Sequence, residues 1–181
     1  MTTTNTPKAT KTLAAVVGQV CRKGNPVHAL EALFSSVCLS VMVRNGDAHL
    51  KNFGVIYATP AQPETVRLAP VFDVTTTTVY EHYNPKSGQA LVDRTLAIKM
   101  NKAKAYPDRQ QLIDFGRKHC AVDKPVLIIE RIAEAMSEAL VTHRQRIDAE
   151  LFLKMRAQWD VGRILAQHDA MRPRLRQKPL S

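Results

Sequence analysis

Residues 45–54 read NGDAHLKNFG. A carboxylate, an imidazole, an ammonium and an amide fall within six positions, Asp47 to Asn52. They follow the uncharged run ALFSSVCLSVMV at 32–43, with one arginine between. Asn-Gly and Asp are ordinary turn formers, so the plain reading is a turn that ends a buried helix. The density of polar chemistry demands more than a turn.

Upstream, Pro26 is well placed to open a helix, because its missing N–H has no partner in a first turn anyway. Val27, Leu30, Leu33, Phe34, Val37, Cys38 and Val41 recur at three-and-four spacing, which predicts one buried stripe. The helix is expected to stop near Arg44, before Asn45-Gly46. Still earlier, TLAAVVGQVCRK at 12–23 has a helical pattern, and residues 1–11 read as a disordered polar leader.

Downstream, FGVIYA, the break TPAQPE and TVRLAP predict a hairpin that leads into PVFDVTTTT at 70–78. A hairpin sets its two ends side by side, so Asp47, Asn52 and Asp73 are predicted to converge. Two carboxylates and an amide oxygen are hard-oxygen ligands suited to Mg²⁺, which usually also holds substrate phosphates. RTLAIKM at 94–100 is β-prone. Helices are expected from Pro107 across 110–118, from Pro125 with Val126, Ile129, Ile132, Ala133, Met136 and Leu140 inward, and over 148–168 with Phe152, Met155 and Trp159 inward.

The bulk numbers agree with one domain that has a real core. The 181 residues are 45% hydrophobic, and 26 Lys and Arg against 16 Asp and Glu give a net charge of +10. Such a charge favours polyanionic partners. Part of it lies in the tail MRPRLRQKPLS at 171–181, which reads either as a solvated end or as a phosphate-contacting one. Cys21, Cys38 and Cys120 are odd in number and unpaired in spacing, which suits buried thiols in a reducing, cytoplasmic setting. The longest charge-free apolar run, 32–43, falls well short of the roughly 20 residues a membrane span needs.

The two polar loops together have the plan of phosphoryl transfer: an Asp that accepts the proton of the attacking hydroxyl, an Asn soon after it on the metal, and an Asp beyond a hairpin on the metal. The five-residue step from Asp47 to Asn52 equals the Asp-to-Asn step of the protein-kinase catalytic loop. Val74, not glycine, follows Phe72-Asp73, so the second kinase motif is matched in part.

At this point the chain resembles the C-terminal catalytic region of HipA-family serine/threonine kinases, the toxins of bacterial toxin–antitoxin modules. The family's first loop runs roughly N-x-D-x-H-x-K-N and its second L-x-P-x-[YF]-D. Asn45, Asp47, His49, Lys51 and Asn52 fill the first; Leu68, Pro70, Phe72 and Asp73 fill the second. DRTLAIKM and FGRKHCAVDKP are also similar to the family, and the likeness covers roughly residues 12–150.

The resemblance implies a mainly α, kinase-like large lobe over 12–170 with a small β-hairpin layer, flanked by the leader 1–11 and the basic tail 171–181. It implies transfer of the ATP γ-phosphate to a protein hydroxyl with Mg²⁺. Asp47 is similar to the family's catalytic base. Asn52 and Asp73 are similar to its Mg²⁺ ligands, with Phe72 beside them. His49 and Lys51 fall where the family's loop approaches nucleotide phosphates; a loop-bracing imidazole and a solvated ammonium are the plain alternatives.

The plan also calls for a small lobe with a Gly-rich loop and a strand lysine. The seven glycines (18, 24, 46, 54, 88, 116, 162) form no cluster, and the residues before position 45 read as helices. The chain is therefore expected to be inactive alone. A separate small-lobe protein, a longer parent chain and a silent lobe kept for binding an antitoxin, a partner lobe or DNA are the three accounts of this. A metal-dependent hydrolase using Asp47, His49, Asp73 and His82 is the remaining reading.

Overall fold

The computed structural model describes residues 9–92 and 94–161, with the backbone only at residues 82, 160 and 161. The leader at 1–8, the last part of the expected final helix and the basic tail at 171–181 lie outside the described residues. Five α-helices and three two-stranded antiparallel sheets make up the described fold.

Helix α1 (Thr10–Val20) begins inside the segment read from sequence as leader, and it buries Thr10, Leu13, Ala14 and Val17. Helix α2 (Pro26–Met42) starts as expected. Asn25 is its N-cap, with Oδ1 accepting from His28 N–H at 3.0 Å, and Pro26 takes the first turn. Leu33, Phe34, Val37, Cys38 and Val41 are buried along one stripe, and Leu30 packs against it. Val27 departs from the expected stripe: it is 64% exposed. It lies in the opening turn, before the helix meets the elements that cover the rest of its stripe.

Hairpin β1 (Val55–Ile56) and β2 (Arg67–Leu68) is antiparallel, with Val55 opposite Leu68. Strands β3 (His82–Tyr83) and β4 (Ala90–Leu91) form a second pair that the sequence did not signal. Strand β5 (Thr95–Met100) pairs with β6 (Ala103–Ala105) across a two-residue turn. Asn101 and Lys102 in that turn have φ of 50° and 67°, the left-handed pair that a tight hairpin needs. The β layer is thus three small separate sheets, not one hairpin layer. Leu96, Ile98 and Met100 alternate inward along β5.

Helix α3 (Arg109–His119) is opened by Asp108, not by Pro107. Asp108 Oδ1 accepts from Gln111 N–H while Gln111 Oε1 accepts from Asp108 N–H, a reciprocal capping box. Helix α4 (Pro125–Thr142) buries Ile129, Ala133 and Met136, with Val126, Ile132 and Leu140 packed against the core as anticipated. Helix α5 (Ala149–Val161) ends the described chain. The core gathers where α1, α3 and α4 surround α2, around Leu33, Phe34, Leu112 and Ile129 at 0% exposure. Burying each such side chain contributes about 1.5–3 kcal/mol. All three cysteines are free and buried. No described helix is long and apolar enough to cross a membrane.

Candidate functional site

The site is built at the C-terminal end of α2. Arg44 adopts the left-handed conformation at φ 61°. Its N–H bonds Val41 O at 3.2 Å, and the next N–H, of Asn45, bonds Ser40 O at 2.8 Å. These two bonds are a Schellman closure, usually made by glycine at the left-handed position. Here arginine holds it, at a steric cost of about 1 kcal/mol. The sequence drew attention to Gly46 as the helix breaker, yet the left-handed residue is Arg44.

The helix end delivers Asn45 into the interior at 1% exposure. Its side chain spans both site loops. Oδ1 accepts from Asp47 N–H at 3.1 Å, and Nδ2 donates to Asp73 O at 3.4 Å. Gly46 is wedged: a Cβ there would lie 2.7 Å from Thr95 O and 2.9 Å from Thr77 Oγ1. Its N–H donates to Thr77 Oγ1 at 2.7 Å and its carbonyl accepts from Ala97 N–H at 2.9 Å. The Thr77 hydroxyl passes the bond on, donating to Arg44 O at 3.1 Å.

Hairpin β1–β2 closes the distance to the second loop, with Ala69 N–H on Gly54 O at 2.9 Å. Asn52 and Asp73, 21 positions apart, touch: Asn52 Nδ2 donates to Asp73 Oδ2 at 2.8 Å. Asn52 Oδ1 accepts from His49 N–H at 2.9 Å. Asp73 is left-handed, with φ 55°, a conformation that Asp tolerates better than most residues.

Asp47 stands at the rim with its side chain 65% exposed, and His49 Nε2 lies 4.0 Å from its Oδ1. At that distance and exposure the pair is loosely coupled. His49 is the N-cap of the short helical turn Leu50–Asn52, in a capping-box arrangement with Asn52, and its Nδ1 is buried. Lys51 is exposed, and Phe72 presents 47% of its surface. The structure thus brings Asn52 and Asp73 into contact and joins Asp47 to them through Asn45, a residue that fills the loop motif but to which the sequence gave no task.

The donor chemistry fits a hard divalent cation in part. Asp73 offers an exposed carboxylate, and Asn52 Oδ1 keeps a second lone pair beside its bond from His49. The amide, however, points its N–H at the carboxylate, so a cation there would replace that donor. Among the described residues, no three His, Cys, Asp or Glu side chains gather as a metal cluster. The mixed His/carboxylate centre is not assembled from them, and the His82 side chain lies outside the description.

Comparison with known proteins agrees with this scaffold. The family of HipA-like C-terminal domains matches residues 1–143. No curated protein matches the sequence. Among solved structures, the fold is similar to a chain from the complex of HipA, HipB and operator DNA of the Shewanella oneidensis MR-1 toxin–antitoxin system. The TM-score is 0.61 at 19% identity, over 90% of this chain and 35% of that one. The present chain therefore spans about a third of the length of that relative. With both motif loops joined on this scaffold and the family matched across 143 of 181 residues, the chain belongs to the HipA-like C-terminal domain family.

Proposed function

We propose that the chain is the catalytic large lobe of a HipA-like serine/threonine kinase that transfers the ATP γ-phosphate to a protein hydroxyl. The supporting observation is the 2.8 Å contact between Asn52 and Asp73, with Asp47 tied to the same junction through Asn45. In this reading Asp73 and Asn52 hold Mg²⁺, and the bound metal–nucleotide supplies the electrophilic phosphorus and charge neutralisation. Asp47 accepts the proton of the attacking hydroxyl, and its exposure leaves room for a protein substrate to reach it. In this reading Lys51 and the His49 imidazole face the phosphates as donors, and Phe72 walls the nucleotide side.

The site stands open to water, where donors and charges act more weakly than in a dry cleft. A covering lobe, from a longer parent chain or a separate protein, is required for turnover. Calorimetric titration with Mg-ATP tests the binding half of the reading. Heat from the wild type that is much weaker in Asp73→Asn supports it; no heat from the wild type refutes it.

The charge of +10 favours a second reading, a lobe that binds antitoxin, partner lobe or DNA without chemistry. Deleting residues 171–181 tests the DNA arm. A shallower salt dependence of DNA binding supports it, and an unchanged slope removes the tail as the contact.

A further inference from the structure

Helix α5 lies far from the motif loops in sequence, yet its last described turn reaches both. Trp159, 8% exposed, donates its indole N–H to Thr76 Oγ1 at 3.0 Å. The carbonyl of the preceding residue, Gln158, accepts from Arg44 Nε at 3.4 Å. Thr76 is three residues past Asp73, and Arg44 is three residues before Asp47. Thr77, the neighbour of Thr76, completes the connection: its N–H donates to Arg44 O at 3.2 Å, and its hydroxyl takes Gly46 N–H. The bonds form a closed ring through Trp159, Thr76, Thr77, Arg44 and Gln158. The Arg44 guanidinium also stacks 4.5 Å from the centre of the Tyr106 ring, which fixes its direction.

Packing alone does not set this junction. A cleft of about 230 Å³, lined by Val43, Val74, Val79, Leu151, Met155 and Trp159, runs between α5 and the Asp73 segment. Trp159 and Val43 belong to the core and Val74 and Met155 pack against it, so apolar contact holds the segment near α5 and the directional bonds add its register.

We infer that the Trp159 indole and the Gln158 carbonyl are positioning groups. They hold the Asp73 segment and the Asp47 loop at one mutual spacing, without touching substrate or metal. The inference rests on the site reading above for its consequence in binding, but the ring itself is tested without ligand.

The experiment uses the full chain with three substitutions. Thr76→Val removes the acceptor at nearly constant shape, Trp159→Phe removes the donor, and Thr76→Ser keeps the acceptor. Amide hydrogen exchange at Gly46 and Thr77 is compared with amides inside α2 and α4. Exchange about tenfold faster at those two amides in Thr76→Val and Trp159→Phe, unchanged in the helices and restored in Thr76→Ser, is the expected result. Wild-type exchange at Gly46 and Thr77 in both Thr76→Val and Trp159→Phe overturns the inference.

Mg-ATP titration of the same proteins separates the two ideas. Affinity about tenfold weaker in Thr76→Val than in Thr76→Ser is expected, the size of a lost outer contact behind a metal ligand. Equal affinity in the two overturns the positioning role while leaving the kinase reading intact. A wild type that binds no Mg-ATP refutes the kinase reading, and the exchange pattern then decides the ring by itself.

Discussion

The helical body and the pair of motif loops are held in different ways. Around Leu33, Phe34, Leu112 and Ile129, position follows from contact among apolar side chains that carry no direction. In the loops, position follows from a short chain of bonds through Asn45, Gly46 and Thr77, while Asp47 and Asp73 stay at the surface. The body tolerates exchange of one apolar residue for another of similar volume. The loops tolerate little, because each bond has one donor and one acceptor. The loops thus keep their acids at the surface while hydrogen bonds set the backbone that carries them.

Substitutions at the two regions test that contrast. Asp47→Ala is the largest expected effect: a loss of about 10²–10⁴-fold in phosphotransfer, measured with a covering lobe supplied, and an unchanged melting temperature. A rate equal to wild type would remove Asp47 as the base. Leu33→Ala in the core reverses the pattern, costing about 2–5 kcal/mol of stability by urea unfolding. Gly46→Ala joins the two regions. Its Cβ is forced against Thr95 O and Thr77 Oγ1, so it should cost about 1–3 kcal/mol and loosen the loop together with β5. Asp73→Asn should weaken Mg-ATP binding about tenfold or more at unchanged stability.

The smallest effect is in acid. Asp148 caps α5, accepting from Leu151 and Glu150 N–H, and these bonds with nearby Arg144 hold its carboxyl below the usual 3.8. A lowered folded value means the cap's contribution is whole above about pH 4 and fades as pH falls through that lower value. Amide exchange at Glu150 and Leu151 should quicken modestly in that window, and Asp148→Ala should abolish the pH dependence.

The contrast also explains what could be read from the sequence. The stripe of α2 and the inner face of α4 were legible because core contact imposes a period, and Val27 escaped because the opening turn faces outward. The hairpin and the Asn52–Asp73 contact were legible because turn residues bracket β-prone segments and the motif fixes its polar positions. Strands β3, β4 and β6 were not, since strands of two or three residues are too short to show alternation. Arg44 as the left-handed closure was hidden behind the more obvious Gly46. Asn45 had a signal, an asparagine at a motif position, with no sign of what it would hold. The Trp159–Thr76 bond spans 83 positions and had none.

The burial of Cys120 follows the same logic at another scale. Burial pushes its thiol up to about 12, so at mildly alkaline pH it holds about a thousandfold less thiolate than a free cysteine. Thiol reagents should stay idle on the folded chain and react on unfolding.

Trp159 is the protein's single tryptophan, and its indole nitrogen is spent on the segment that carries Asp73. The molecule is thus born with one optical probe, wired to the one place worth watching. Ultraviolet emission from an unlabelled sample should shift in colour or intensity when that segment moves, whatever ligand moves it.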